Sequence, residues 1–153
     1  MDDLVFDGVT ISSQKRIFNP KGDILHGMKN SDSGYAGFGE VYFSMVHYGA
    51  IKGWKRHRLA TLNIVVPYGA IRFVVYDDRS DSLTQGKFMD ITACSENYIR
   101  LTISPGLWMA FMGIGEGVNI LTNICNMEHD PGESDNCELG AIAFKWDNKK
   151  LNS

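Results

Sequence analysis

The sequence predicts an all-β domain, a sandwich or barrel of many short strands. Three observations carry that expectation. Runs rich in β-branched and aromatic residues recur at roughly 8–12-residue spacing, divided by Gly, Pro and Asn turns. No segment sustains an i, i+3, i+4, i+7 apolar pattern for more than two turns. In the run IRFVVY, Ile71, Phe73 and Val75 fall on one face and Arg72, Val74 and Tyr76 on the other, the alternation of a strand.

Taken in order, residues 9–11 and 16–18 are short strand candidates, and Asn19-Pro20-Lys21-Gly22-Asp23 is a turn. A strand is expected at 24–28. Residues 29–39, KNSDSGYAGFG, are polar and glycine-rich and predict a loop. EVYFSMVH, 40–47, is a strand followed by the turn Tyr48-Gly49. Residues 62–66 and 71–76 predict a hairpin through Pro67-Tyr68-Gly69. Residues 80–85 are a loop. Further strands are expected at 87–94, 98–103, 107–112 and 118–124, with turns at Ser104-Pro105-Gly106 and 113–117. DPGESDN, 130–136, reads as an acidic turn or loop, and 140–146 as a last strand.

There is no internal repeat and no composition shift. The expectation is one domain over 1–153, with N-terminal strands and a loop over 1–39 and the β core over 40–147. An apolar share of 44% and a charged share of 22% belong to a globular chain rather than a disordered one. Fifteen Lys and Arg stand against 18 Asp and Glu, a formal charge of −3, which argues against a non-specific nucleic-acid binder. Cys94, Cys125 and Cys137 are odd in number and lack CxxC spacing, so a reducing, cytoplasmic setting is expected. MDDLVFDG has no basic n-region and apolar h-region, so no signal peptide is expected. No apolar run approaches the roughly 20 residues of a membrane helix.

Against this acidic background, 51–58 (IKGWKRHR) concentrates Lys52, Lys55, Arg56, His57 and Arg58 around Trp54. A local basic patch on an acidic protein points to a small anionic ligand. On a strand, Lys55 and His57 face one way and Arg56 and Arg58 the other. One pair would line a pocket, and the other would meet solvent or a subunit interface. Gly53 permits close backbone approach, and Trp54 offers a surface for stacking on a base or sugar. The plainer alternative is a solvated edge strand, where lysine guards against aggregation.

Other candidates are weaker. His26, His47, His57 and His129 form no HxH or HxxxH pair, so no metal site is expected. Tyr76-Asp77-Asp78-Arg79 offers a carboxylate to orient a base, or simply a polar strand end. Glu128-His129-Asp130-Pro131 offers an acid–base pair, or an exposed loop. Gly113-Ile114-Gly115-Glu116-Gly117 opens no helix, so phosphate cradling is not expected. Trp108, Met109, Phe111 and Met112 read as core or rim.

Three motifs together resemble one family. Lys52-Gly53-Trp54 is followed by YGAIRFVVYDDR at 68–79 and by Ser82-Leu83-Thr84-Gln85-Gly86. These are similar to the Arg-Gly-Leu-His, strand-Asp-Arg and Ser-Pro-Thr-x-Gly motifs of the dTDP-4-dehydrorhamnose 3,5-epimerase family. Residues 103–111 resemble its Ile-Pro-x-Gly-x-Ala-His-Gly-Phe motif, and Trp146-Asp147 its closing Trp-Asp. The resemblance spans about 40–147. It implies a cupin-like jelly-roll β-barrel or sandwich, a homodimer and no cofactor. It also implies a nucleotide-linked 4-keto-6-deoxy sugar as substrate, in surface-polysaccharide synthesis.

The departures bear on the chemistry. Lys55 stands where the family's catalytic histidine would be, and Met109 replaces a second histidine. Leu62, with Asn63 beside it, replaces a lysine, and the family's proton-donating tyrosine falls near Thr122. Proton abstraction next to a ketone still needs a base. Lys55 would serve if burial and cationic neighbours lowered its pKa; His57 would serve without such a shift. Tyr42, Tyr68, Tyr76 or Tyr98 would supply the acid. Lys52, Arg56, Arg58 or Arg72 would grip the diphosphate, with Trp54 and Asn63 as further binding residues. The competing expectation is a cupin that binds a sugar nucleotide without turnover, as a regulator or partner subunit. A metal-dependent cupin enzyme is a third, disfavoured by the scattered histidines.

Overall fold

The computed structural model describes residues 3–147. In chain order its strands are β1 (Asp3–Phe6), β2 (Val9–Ser13), β3 (Arg16–Ile17), β4 (Ile24–Leu25), β5 (Glu40–Met45), β6 (Ile51–His57), β7 (Leu62–Tyr68), β8 (Ile71–Tyr76), β9 (Phe88–Ala93), β10 (Ile99–Ile103), β11 (Trp108–Gly113), β12 (Ile120–Cys125) and β13 (Ser134–Asn136). Among the described residues the only helical elements are two 3-10 turns, Pro131–Glu133 and Leu139–Ala141. None of the described helices is long and apolar enough to cross a membrane.

Two antiparallel sheets face each other. One runs β1-β2-β10-β7-β12-β5, the other β13-β6-β11-β8-β9, and β3-β4 form a small separate ribbon. The inner faces meet in a core built from Leu62, Ile64, Val66, Ile71, Phe73, Val75, Leu101, Ile103 and Leu121. The alternation read in 71–76 is realised: Ile71, Phe73 and Val75 enter this core, while Val74 joins a second cluster on the outer face of the smaller sheet. There Trp54, Val74, Trp108 and Ala110 are covered by Leu139, Ile142, Phe144 and Trp146.

Three sequence expectations are corrected. Residues 62–76 do not form a hairpin. β7 pairs with β10 and β12, and β8 with β9 and β11, so the turn carries the chain from one sheet to the other. Gly69 makes the crossing with φ +86°, where a Cβ would come within 2.4 Å of the Val118 carbonyl and the Asn119 amide. Turn residues report a reversal, not which edges pair.

Residues 140–146 form no ladder. Their period-2 apolar pattern is real, with Ile142, Phe144 and Trp146 packed inward, but the segment lies across a sheet face. Alternation shows that one side is buried, not that the backbone edges are paired.

The acidic stretch 130–136 is not simply a loop. It contributes β13, which pairs Ser134 with His57, Asp135 with Arg56 and Asn136 with Lys55. It holds no apolar residue to signal a strand, and its place is fixed by ion pairs from Asp135 to Arg56 and Arg58.

Candidate active site

A cavity of about 630 Å³ opens between the sheets. β5 supplies Glu40, Tyr42 and Ser44; β6 supplies Lys52, Lys55 and His57. Leu62, Ile64, Ile103, Met109, Phe111 and Leu121 make the inner wall apolar. An apolar chamber with a few converging polar groups is the usual form of a small-molecule site.

β6 carries the site because its two sides differ. Strand parity alone would put Lys52 with Trp54, away from Lys55. The β6–β11 register shifts: Lys55 lies opposite Met109 and Lys52 opposite Phe111, so Gly53 and Trp54 of β6 together match Ala110 of β11. This brings Lys52 to the cavity beside Lys55 and His57. Gly53 is required at the bulge. Its φ is +138°, and a Cβ would come within 2.6 Å of the Ala110 side chain.

His57 is held in the cavity by a buried carboxylate. Its Nδ1 lies 2.8 Å from Oε1 of Glu133, which is buried. Glu133 Oε2 accepts from the backbone N–H groups of Leu59 (3.1 Å) and Ala60 (3.0 Å). Burial would raise the Glu133 carboxyl, but the hydrogen bond from His57 and those two N–H groups outweigh it and hold the pKa below the ordinary value. An ionised carboxylate only accepts, so Nδ1 carries the proton and Nε2 is the basic nitrogen.

Tyr42 stands across the cavity on the other sheet. Its hydroxyl accepts from Asn123 Nδ2 at 2.9 Å, the two residues being Cα partners between β5 and β12. Burial raises its pKa by more than the Asn123 hydrogen bond lowers it, so the hydroxyl keeps its proton at neutral pH. Tyr42 is the only one of the four tyrosine candidates that lines the cavity. Tyr68 is exposed elsewhere, Tyr76 packs on Phe88 on the outer face, and Tyr98 donates to the His26 carbonyl at 2.7 Å. Thr122 is not in the lining either; its neighbours Leu121 and Asn123 are.

Lys52 donates to the Met45 carbonyl at 2.6 Å and to Ser44 Oγ at 3.3 Å. Lys55 lines the cavity and is exposed. The burial that a lysine base would need is therefore missing.

The remaining expected binding residues are held by scaffold contacts, and of them Trp54 alone touches the cavity lining. Trp54 is 1% exposed, and its Nε1 donates to the Leu139 carbonyl at 3.0 Å. Its ring packs near Trp146 in the outer cluster, so it has no free face for a base or sugar. Arg56 pairs with Asp135 (2.9 Å) and Asp78 (3.4 Å) and lies over the Trp108 ring. Arg58 bonds Asp135 and the Gly132 carbonyl. Arg72 is buried, with its Nη2 2.7 Å from Asp90 and its guanidinium near Phe144 and Trp146. Asn63 faces away from the cavity, donating to the Gly34 carbonyl and accepting from Thr102. These five side chains were expected at the ligand, and the structure commits them to scaffold contacts.

Two polar runs resolve the same way. Asp77 is fully buried. It accepts from Arg79 Nε at 2.9 Å and from Thr84 Oγ1 at 2.7 Å, and from the Ser82 hydroxyl. Burial opposes ionisation, yet these bonds hold its carboxyl far below the ordinary range. Arg79 also reaches the Asp7 carbonyl at 2.7 Å, so this cluster ties the N-terminal strands to the sandwich. Glu128 and His129 do line the cavity, but the His129 N–H donates to Glu40 at 3.0 Å, and Asp130 caps the Pro131–Glu133 turn. Glu133, three residues on, is the carboxylate that sequence reasoning missed. Among the described residues no group of three or more His, Cys, Asp or Glu has the arrangement of a metal site.

Two facing antiparallel sheets with a cavity between them make this a cupin-like jelly roll. No family model matches the chain. A solved structure of a dTDP sugar isomerase from Desulfovibrio desulfuricans is 34% identical, with a TM-score of 0.89 over 92% of each chain. A probable low-salt glycan biosynthesis epimerase from Haloferax volcanii is 34% identical over 97 residues. That match spans 60% of this chain and 62% of the relative's own length. A dTDP-4-dehydrorhamnose 3,5-epimerase from Bacillus anthracis shares the fold at 17% identity, with a TM-score of 0.82 over 94% of this chain and 87% of that one. The chain belongs to this family of dTDP-sugar epimerases and isomerases.

Proposed function

We propose that this protein is a sugar-nucleotide epimerase or isomerase of glycan biosynthesis. It acts on a nucleotide-linked 4-keto-6-deoxy sugar by moving a proton next to the ketone. The observation that carries this reading is the His57–Glu133 pair facing Tyr42 across one cavity. His57 Nε2 takes the proton. Glu133 holds the ring and steadies the imidazolium that forms. Tyr42, neutral and oriented by Asn123, returns a proton from the facing sheet. Lys52, at the mouth beside β5, supports the diphosphate. The relatives' printed descriptions support the substrate class: one is a dTDP sugar isomerase, another a glycan biosynthesis epimerase.

We further propose a cytoplasmic homodimer that works without a resident cofactor. Support for self-association comes from β5, an edge strand with exposed Val41, Phe43 and Met45. Its check is the sedimentation mass in solution.

The deciding experiment incubates the protein with dTDP-4-keto-6-deoxyglucose in D₂O. Deuterium should enter the sugar at C3 or C5. Tight dTDP binding without wash-in would instead support a non-catalytic sugar-nucleotide binder. That reading is favoured by the exposed lysine at position 55, where the family resemblance implies a histidine.

A further inference from the structure

Removing a proton next to a ketone moves negative charge onto the carbonyl oxygen. The His57–Glu133 pair accounts for the proton and leaves that oxygen without a partner. The sequence offered five cations for the site, and the structure sorts them. Arg56 and Arg58 are paired with Asp135, and Arg72 with Asp90, all outside the cavity. Lys52 is drawn towards β5 by the Met45 carbonyl. Lys55 lines the cavity, is exposed, and has no hydrogen-bond or ion-pair partner among the described residues.

We propose that Lys55 is the electrophile of this site, its ammonium group donating hydrogen bonds to the ketone oxygen and stabilising the enolate. The inference rests on the function proposed above and assigns Lys55 a role other than that of base. The position fits. Lys55 and His57 are two apart on one face, about 6.6 Å along the strand, and both line the same cavity. Both backbones are fixed from two sides, Lys55 between Asn136 and Met109, His57 between Ser134 and the Gly106 N–H, which donates to the His57 carbonyl at 2.7 Å. Met109, the partner of Lys55 across the β6–β11 ladder, also lines the cavity and sets an apolar residue beside it. Lys52 lies three residues further back, within roughly 10 Å, and serves the diphosphate rather than the reacting carbon.

In the step itself, His57 Nε2 takes the α-proton. The C–H electron pair becomes the enolate double bond, and the carbonyl π pair moves onto oxygen. Lys55 neutralises that oxygen without forming a covalent bond. The pair then returns and the carbon takes a proton from Tyr42.

The test compares wild type, Lys55→Met and Lys55→Arg in deuterium wash-in, with dTDP titrated alone by calorimetry. In Lys55→Met, kcat for exchange should fall about 10²–10³-fold, with dTDP affinity within threefold of wild type. Lys55→Arg should recover at least tenfold of that loss. An unchanged kcat in Lys55→Met overturns the proposal. So does loss of dTDP affinity at constant kcat, which makes Lys55 a phosphate contact. A lysine–sugar adduct trapped at position 55 by borohydride also overturns it, because the role would then be covalent. Wild type that binds dTDP without exchanging sinks the proposed function, and this inference with it; exchange that survives in Lys55→Met sinks the inference alone.

Discussion

The two sides of β6 carry similar side chains to different ends. On the cavity side, Lys55 has no partner among the described residues, and His57 is held by one carboxylate. On the outer side, Trp54, Arg56 and Arg58 are consumed by the C-terminal segment and β13: a tryptophan under Leu139 and Trp146, and two arginines on Asp135. The difference teaches that positive charge in a sequence does not by itself mark a ligand site. What marks it is charge left unneutralised and facing a cavity. The outer side also serves the inner one: by holding β13 against β6 it places Glu133 beside His57.

Four measurements break or sharpen that contrast. The largest effect belongs to the cavity side. His57→Ala should lower deuterium wash-in on the order of 10³-fold, within the range for a lost general base, while dTDP affinity by calorimetry stays within threefold of wild type. Activity within tenfold would remove His57 from the chemistry.

On the outer side, Trp54→Ala should act on folding instead. A buried aromatic truncated to Ala costs about 3–5 kcal/mol, seen as a lower urea midpoint. A variant with normal stability and lost dTDP binding would return Trp54 to the site.

A scaffold effect of similar kind comes from Asp77. Its folded pKa lies below its unfolded value, so its stabilisation is full above the usual carboxylate value of about 3.9 and is lost as pH falls below it. Asp77→Asn should cost about 3 kcal/mol at pH 7, the scale for a broken buried pair. The gap from wild type should narrow by pH 3 in paired urea melts; a gap independent of pH would contradict the assignment.

The smallest effect is Arg58→Ala. An exposed ion pair contributes about 0–1 kcal/mol, and dTDP affinity should hold within threefold by calorimetry. A tenfold loss of affinity would mean that the outer face does meet the ligand.

The strands were legible where burial imposes period 2. Residues 71–76 came out with the expected bounds and both faces as read, because each face packs on a hydrophobic layer. β13 was not legible: Ser134, Asp135 and Asn136 carry no apolar signal, and their strand exists through pairing with β6. For the site, parity put Lys55 and His57 on one side and Arg56 and Arg58 on the other, without saying which side meets a pocket. Parity extended to Lys52 would put it on the opposite side; a bulge breaks the period and brings it to the cavity. Glu133 was out of reach, lying 76 residues from His57 in a run that reads as a turn.

The sequence by itself determined an all-β fold, a basic strand at 51–58 and the motifs that tie the chain to its family, since side-chain alternation and local composition are properties of neighbours along the chain. Only the tertiary structure decided which cations stay free, which carboxylate meets His57 and which tyrosine faces it. Those are properties of neighbours in space. A charge is spent or available according to what packs against it, and here Asp135, Asp90 and the C-terminal aromatics settle the arginines while Lys55 is left facing the cavity.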